Sequence, residues 1–255
     1  MQAVLFVGHG SRIQEGNEQL KAFVEGAKEK IDVPIQETCF LELAAPSIIE
    51  GAEACIQKGA DALAVVPVFL LEAGHIKNDI PAELEKVKQQ YPNVFIQYGN
   101  PFGIEGKIFD VLLQRLQKRG YYQGQAADIL LVGRGSSDKH AIADFYTIAS
   151  RLAEKTQINV ETAFLAAASP TFDEGLETVK HSRNDVVYVL PYLLFTGVLM
   201  QEMQRKINKM NQDTSASVVL CDFLGFDEQL MIILKKRVTE TMNKPEYEIG
   251  GGHHV

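Results

Sequence analysis

The sequence predicts an α/β protein made of two similar lobes, each a parallel sheet flanked by helices, with a cleft between them. Two observations lead to this fold class. Short apolar runs alternate with amphipathic segments along the chain, and the first half of the 255 residues recurs in the second half. Alternating strands and helices form a parallel sheet with helices on both faces, and a duplication of such a unit gives two lobes.

The repeat is visible at landmarks that keep a nearly constant spacing. The turn Gly-His-Gly-Ser at 8–11 returns as Gly-Arg-Gly-Ser at 133–136, and Pro67 returns as Pro191, at offsets of about 124 residues. Residues 120–126 are turn-like and lack apolar periodicity. These landmarks predict a first lobe at 1–122, a second lobe at 123–243 and a flexible tail at 244–255.

Each half is expected to contain four strands that alternate with four helices. The strands of the first half are expected at residues 3–7, 35–41, 62–69 and 94–98. Three of them are near-continuous apolar runs, which is typical of strands covered on both faces. The first helix has one apolar face, formed by Leu20, Phe23, Val24, Ala27 and Ile31.

Three residues mark helix ends. Pro46 is expected in the first turn of the second helix, because proline is favoured where an N–H has no helical partner, and Gly59 is expected at the C-terminal end of that helix. In the second half, Asp138 is expected to cap a helix that carries Ile142 and Phe145 on its apolar face.

Composition and charge exclude several classes of protein. A hydrophobic content of 46% with 23% charged residues is ordinary for a globular chain, and no apolar run reaches the ~18 residues that span a bilayer. We expect no signal peptide, since the first strand begins at once. Three widely spaced cysteines predict a reduced, cytoplasmic protein. A net charge of −8 argues against nucleic acid or an anionic membrane as partner.

Two histidines of the first half lack counterparts in the second. His9 follows the first strand and His75 the third, whereas Arg134 replaces His9, and Ala166 replaces the carboxylate Glu42 that follows the second strand. The carboxyl ends of parallel strands share one sheet edge, where ligands bind. Neutral imidazole suits divalent iron, cobalt, nickel or zinc. Two histidines and at most one carboxylate leave coordination positions open, which is typical of catalytic rather than structural metal sites.

The remaining polar residues indicate a binding site less clearly. Ser11, Ser136 and Ser137 lie at strand-to-helix turns, where they either cap helices or hold an anion. His140 and His181 are expected at the surface, and the histidine-containing end at 250–254 is expected to be solvated, although it could also bind metal. The chain has no Gly-Lys-Ser phosphate loop and no complete dinucleotide fingerprint.

Three blocks together resemble the class II tetrapyrrole chelatases, in particular the bacterial sirohydrochlorin ferrochelatases. They are Val-Gly-His-Gly-Ser at 7–11, Phe-Leu-Glu-Leu-Ala-Ala-Pro-Ser at 40–47 and Pro-Val-Phe-Leu-Leu-Glu-Ala-Gly-His-Ile at 67–76. The resemblance extends from residue 1 to about residue 243. It implies a two-lobed chelatase fold and a lyase of sirohaem and porphyrin biosynthesis, which inserts Fe²⁺ into sirohydrochlorin without ATP or another nucleotide.

The resemblance also implies roles for single residues. His9 and His75 would bind the metal substrate, and Glu42 would assist them. The tetrapyrrole is expected to lie against Ala45 and against a loop that is apolar and then flexible. That loop consists of Leu70, Leu71, Glu72, Ala73 and Gly74. The ring carboxylates are expected to meet helix N-termini, the Ser11 hydroxyl, and basic groups such as Arg12 and Arg134.

Several alternatives stay open at this point. The same tetrapyrrole could receive Co²⁺ or Ni²⁺, or the protein could carry metal or tetrapyrrole without turnover. Either His9 or Glu42 could accept the pyrrole protons, because histidine serves both as ligand and as general base near neutral pH. The segment 69–75 would also suit ordinary core packing followed by a turn. A monomer is expected, since two fused lobes replace a symmetric dimer of half-length chains.

Overall fold

The computed structural model describes residues 1–213 and 216–248, which form two compact units. The first unit consists of Met1–Gly103 together with residues 230–248, and the second unit is Ile104–Gln229. Each unit contains one four-stranded sheet in which all neighbouring strands are parallel. The predicted fold class of two parallel sheets flanked by helices is confirmed, and the cleft between the lobes stays a prediction.

The first sheet has the strand order β2-β1-β3-β4. Its strands are β1 (Gln2–Gly8), β2 (Ile35–Phe40), β3 (Ala62–Pro67) and β4 (Phe95–Tyr98). The elements between them are α1 (Gln14–Lys28), α2 (Ile48–Gln57), a π-helical turn (His75–Asp79) and α3 (Ile80–Gln90). The predicted strand positions are therefore confirmed to within two residues at each end.

The core of the first unit lies against the two central strands. Every residue of β1 after Gln2 and every residue of β3 after Ala62 is buried, as expected for strands covered on both faces. Gly51 of α2 lets that helix approach the sheet, because a Cβ there would lie 2.8 Å from the side chains of both Cys39 and Leu5. Burial of this apolar surface is the main source of the unit's stability.

The second sheet repeats this arrangement with the order β6-β5-β7-β8. Its strands are β5 (Asp128–Gly133), β6 (Val160–Phe164), β7 (Val186–Tyr192) and β8 (Ser217–Leu220). The helices between them are α5 (Lys139–Thr156), α6 (Phe172–Lys180) and α7 (Val198–Asp213). Gly175 of α6 repeats the role of Gly51, since a Cβ there would lie 2.6 Å from the Ala163 side chain.

The last helix of each half belongs to the unit that is built mainly from the other half. Helix α4 (Gly106–Lys118) follows β4 along the chain but lies in the second unit, where it packs near β7. Helix α8 (Glu228–Met242) follows β8, and from Leu230 onward it lies in the first unit. The compact units therefore differ from the sequence repeats by an exchange of these helices.

Two of the three predicted helix ends are confirmed and one is wrong. Gly59 lies just beyond α2 with a positive φ of 97°, and the Asp138 carboxylate caps α5 by accepting the His140 N–H at 2.8 Å. Pro46, however, precedes the helix. The N-cap of α2 is Ser47, whose hydroxyl accepts the Glu50 N–H while the Glu50 carboxylate accepts the Ser47 N–H.

The segment after α8 is attached to the first unit over residues 244–248. The Lys244 ammonium donates to the Tyr98 carbonyl at 3.0 Å, and the Tyr247 N–H donates to the Ile96 carbonyl at 2.7 Å. The remainder of the predicted tail, including His253 and His254, lies outside the described residues. Within the described ranges, every helix is too short or too polar to span a lipid bilayer.

Candidate metal-binding site

The sheet brings His9, Glu42 and His75 together at one edge. His9 follows β1, Glu42 follows β2, and His75 begins the π-helical turn beyond β3. The Nε2 atoms of the two histidines are 3.2 Å apart, and a Glu42 carboxylate oxygen lies 3.5 Å from the Nε2 of His9. The side chains of His9 and His75 are 20% and 34% exposed, so a solvated ion can reach the paired nitrogens.

Each imidazole is oriented by an acceptor on its other nitrogen. The Nδ1 of His9 lies 3.1 Å from the Gly10 carbonyl oxygen, and the Nδ1 of His75 lies 2.7 Å from a carboxylate oxygen of Asp79. A carbonyl and a carboxylate accept but do not donate, so each ring can donate an Nδ1–H to its acceptor. The tautomer with the proton on Nδ1 is the one in which Nε2 can bind a metal ion.

Two Nε2 atoms at this distance can bind one cation together. An ion held at the 2.0–2.1 Å typical of metal–imidazole bonds would see the two Nε2 atoms at an angle of about 100°, given their 3.2 Å separation. That angle lies between the tetrahedral and octahedral values. The rings are nearly perpendicular, at 83°, so both can point a lone pair at one ion without stacking.

The coordination supplied by the protein is incomplete. Within the described part of the chain, no group of three or more His, Cys, Asp or Glu side chains is arranged to hold a metal ion. A closed structural zinc site has four protein ligands. The pair of imidazoles instead leaves most positions of an ion to water or to an incoming ligand, as metal delivery requires.

The turn after β1 is held by backbone groups and by a glycine. The Glu42 N–H donates to the His9 carbonyl at 3.0 Å, and the Leu41 N–H donates to the Gly8 carbonyl at 2.8 Å. Gly10 has a φ of +92°, and a Cβ there would overlap the Glu42 carbonyl oxygen. These bonds fix the spacing between the chain that carries His9 and the chain that carries Glu42.

The predicted tetrapyrrole loop starts beside His9. The Phe69 ring centroid is 6.1 Å from the His9 ring centroid, and the Phe69 and Leu70 carbonyls accept the N–H groups of Phe102 and Gly103 at 2.9 and 2.8 Å. Of the loop residues, Glu72 is exposed. The half-buried ones are Leu70, Leu71, Ala73 and Gly74. The loop therefore offers accessible apolar surface next to the histidine pair.

The other predicted binding residues are exposed or make local bonds. Ala45 is exposed in the turn before α2, and Arg134 is exposed after β5 in the second unit. The Ser11 hydroxyl accepts the Ile13 N–H at 3.0 Å, which is a local turn bond of the capping type. His140, with its side chain 90% exposed, matches the expectation of a surface residue.

Sequence reasoning missed Asp79 and the support beneath it. Asp79 lies four residues after His75, a spacing that places two side chains on one helical face, but this signal has meaning only once the segment is known to be helical. The hydroxyl of the half-buried Tyr98 donates to the Ile76 carbonyl at 2.8 Å. That bond satisfies a carbonyl of the π-helical turn and holds the turn against the sheet.

Comparison with known proteins places the chain in a family. A family model described as CbiX matches twice, over residues 3–119 and 128–241. The sirohydrochlorin ferrochelatase of Priestia megaterium is 46% identical over 239 residues, which is 93% of this chain and 90% of that protein. The sirohydrochlorin cobaltochelatase of the same organism is 39% identical over 246 residues, which is 94% of this chain and 80% of that protein.

A solved structure agrees with these matches. The structure of SirB from Bacillus subtilis with Fe³⁺ has a TM-score of 0.87 at 38% sequence identity, and the match covers 97% of this chain and 99% of that one. These similarities confirm the resemblance to tetrapyrrole chelatases that the three sequence blocks indicate. With its two half-chain matches and a relative of nearly equal length, the chain belongs to the CbiX family.

Proposed function

We propose that this protein is a sirohydrochlorin ferrochelatase, a lyase that inserts Fe²⁺ into sirohydrochlorin to form sirohaem without ATP. The observation that carries the proposal is the pair of Nε2 atoms 3.2 Å apart at the carboxyl edge of the first sheet. Membership of the CbiX family supports the reaction class. The Priestia megaterium relative with 46% identity bears the name of this enzyme.

In the proposed mechanism, His9 and His75 bind the metal substrate and release it to the ring. Two neutral imidazoles hold Fe²⁺ without cancelling its charge, so the ion stays attractive to the pyrrole nitrogens. The open coordination positions let those nitrogens replace water and then imidazole one bond at a time. Holding ion and ring in reacting distance is the main contribution that a positioned site can make.

Insertion releases two pyrrole protons, and the site offers two bases for them. When His9 gives up the metal its Nε2 lone pair becomes available, and the Glu42 carboxylate lies 3.5 Å away. Glu42 has a half-exposed side chain, from which a proton passes to water. The charges balance, because the ring loses two N–H protons as it gains one divalent ion, so its net charge does not change.

The tetrapyrrole is proposed to rest on the apolar loop Leu70–Gly74 and on Ala45. The half-buried loop residues next to His9 support this placement, since a flat macrocycle needs apolar contact close to the metal. Its carboxylates are proposed to meet Ser11, Arg12 and Arg134. Replacing either arginine is expected to weaken tetrapyrrole binding more than metal binding, as measured by titration with each alone.

The test is anaerobic incubation of the protein with sirohydrochlorin and Fe²⁺, followed in the Soret region of the spectrum. An enzyme continues past one equivalent of product per protein, and the rate is proportional to protein concentration. A carrier of metal or tetrapyrrole would stop at one equivalent. That result, or a rate equal to the uncatalysed one, would contradict the proposal.

A second candidate is a cobaltochelatase that acts on the same tetrapyrrole. The 39% identity to the Priestia megaterium cobaltochelatase favours it, and imidazole donors bind Co²⁺ and Ni²⁺ at least as well as Fe²⁺. Parallel assays with Fe²⁺, Co²⁺ and Ni²⁺ at matched free concentrations separate the candidates by their kcat/KM values.

We further propose a cytoplasmic monomer. The three cysteines are free and buried, and burial raises the pKa of both the Cys55 and the Cys221 thiol to about 12, so these thiols are poorly reactive and suit a reducing compartment. Sedimentation equilibrium is expected to give the mass of one 28.3 kDa chain. A stable dimer would contradict the proposed monomeric state but would not bear on the proposed activity.

A further inference from the structure

The carboxylate of Asp79 lies within a continuous helical segment and not at a helix start. The backbone of Asp79 is right-handed helical, with φ −76° and ψ −46°, and the Ile80 N–H donates to the His75 carbonyl. The first turn of α3 therefore offers this side chain no capping role. One carboxylate oxygen lies 2.7 Å from the Nδ1 of His75, one turn back.

The π-helical turn that makes this contact is a feature of the first half. His75 begins this turn, which runs directly into α3 at Ile80. In the second unit the corresponding segment begins the regular helix α7 and carries Leu199 instead of a histidine. Single π-helical turns are rare and occur frequently at functional sites.

The contact contributes little to folding. The side chain of Asp79 is 54% exposed and that of His75 is 34% exposed. Ion pairs with this much solvent around them stabilise a protein weakly. Orientation of the ring is a more substantial consequence, because an isolated imidazole rotates and exchanges its proton between the two nitrogens.

We propose that Asp79 is a positioning residue, which accepts the Nδ1–H of His75 and thereby keeps the Nε2 lone pair of His75 directed at the metal substrate and at His9. The inference rests on the proposed function and names a residue required by the same site. Carboxylates that accept the second N–H of a metal-binding histidine fix its tautomer, and their loss typically weakens metal binding by about 10- to 100-fold.

The test combines two readouts on Asp79→Ala and Asp79→Asn. Equilibrium titration with Co²⁺ alone, followed by its d–d absorption, is expected to show affinity about 10- to 100-fold lower in Asp79→Ala. Asp79→Asn keeps an acceptor oxygen and is expected to recover most of that loss. In ¹⁵N-histidine spectra of the metal-free protein, His75 is expected to be in the Nδ1–H tautomer in wild type and to shift toward Nε2–H in Asp79→Ala.

A matched control is Glu177→Ala. Glu177 also lies four residues from a histidine, with an oxygen 3.5 Å from the Nε2 of His181, but this pair is exposed at the C-terminal end of α6 in the second unit. Glu177→Ala is expected to leave Co²⁺ affinity unchanged. If Asp79→Ala left both the Co²⁺ affinity and the His75 tautomer unchanged, the inference would be overturned. The proposed function would still stand as long as the wild-type protein inserted metal. Failure of wild type to insert any metal would instead overturn the proposed function.

Discussion

At the residue scale, the two halves share the backbone conformation of the site turn but differ in its side chains. Gly10 and Gly135 have φ values of +92° and +91°, and a Cβ on either would overlap a carbonyl oxygen of the neighbouring turn. The backbone of the site is therefore preserved in both halves. The side chains differ, since His9 has Arg134 as its counterpart. The same turn serves as a scaffold in one half and as part of a candidate metal site in the other.

The histidine pair leads to the first prediction. His9→Ala and His75→Ala are each expected to lower the rate of metal insertion by more than about 100-fold, because one imidazole alone holds the ion loosely. Thermal stability should change little, since both side chains are partly exposed. The control is His140→Ala, which alters an exposed histidine outside the site. Insertion rates within about twofold of wild type in both variants would exclude the assignment.

The sequence was sufficient to predict the pair but not its orientation. His9, Glu42 and His75 follow three strands that lie side by side, so parallel topology alone brings them to one edge. Asp79 could not be predicted in the same way. Its role depends on a π-helical turn, which is a matter of local hydrogen bonding and leaves no periodic pattern in the sequence.

At the element scale, reciprocal caps begin the equivalent helices α2 and α6. Ser47 with Glu50 and Thr171 with Glu174 each exchange side-chain and backbone hydrogen bonds. The expectation that Pro46 begins α2 was wrong, because a capping serine followed by glutamate three residues later determines the first helical residue more strongly than proline does. The sequence contained this signal in both halves.

The α2 cap gives a prediction for stability. Ser47→Ala is expected to lower the free energy of unfolding by about 1 kcal/mol, measured by urea denaturation at pH 7. Backbone hydrogen bonding from Ser47 lowers the pKa of Glu50. The contribution of Glu50 is therefore present above the pKa that its carboxyl has in the unfolded chain, and it is lost as pH falls through the lower folded pKa. The difference between wild type and Glu50→Gln should accordingly shrink in acid; a constant difference would contradict this cause.

The support of the π-helical turn gives another prediction. Tyr98→Phe removes the donor to the Ile76 carbonyl and is expected to destabilise the protein by about 1–2 kcal/mol. It should also weaken Co²⁺ binding, since His75 lies on the same turn. The control is Tyr192→Phe, because the Tyr192 hydroxyl is buried and has no hydrogen-bond partner among the described residues. An equal effect of the two variants on Co²⁺ affinity would show that the turn does not depend on Tyr98.

At the scale of the whole molecule, an arginine on each exchanged helix binds the loop that follows the last strand of a sheet. Arg237 of α8 donates to the Pro101 and Phe102 carbonyls in the first unit. Arg115 of α4 donates to the Phe223, Leu224 and Gly225 carbonyls in the second unit. The Phe102 and Gly103 N–H groups in turn bond to the start of the tetrapyrrole loop. The helix contributed by the end of the chain therefore supports the site.

Replacing each arginine with methionine distinguishes the role of Arg237 in the first unit from that of Arg115 in the second. Arg237→Met and Arg115→Met are each expected to lower stability by about 2 kcal/mol or more, because charge-assisted bonds to buried carbonyls are lost. Only Arg237→Met should also raise the KM for sirohydrochlorin, since it alone releases the chain that supports Leu70. Thermal unfolding and steady-state insertion kinetics measure both effects. A raised KM for sirohydrochlorin in Arg115→Met alone would contradict the assignment.

The helix exchange lies beyond what the sequence can indicate. The repeat places α4 and α8 at matching positions whether each helix covers its own sheet or the other one. Amphipathic patterning identifies the buried face of a helix but not the sheet that it packs against. The two sheets, by contrast, follow from short apolar strands and from the repeat.

The central claim is that His9 and His75 hold one divalent ion between their Nε2 atoms. The most direct measurement is a crystal structure of the protein soaked anaerobically with Co²⁺, with the ion located by its anomalous scattering. We expect a single site about 2.1 Å from both Nε2 atoms, with water completing the coordination. Cobalt bound to only one of the two imidazoles, or found away from both of them, would contradict this account.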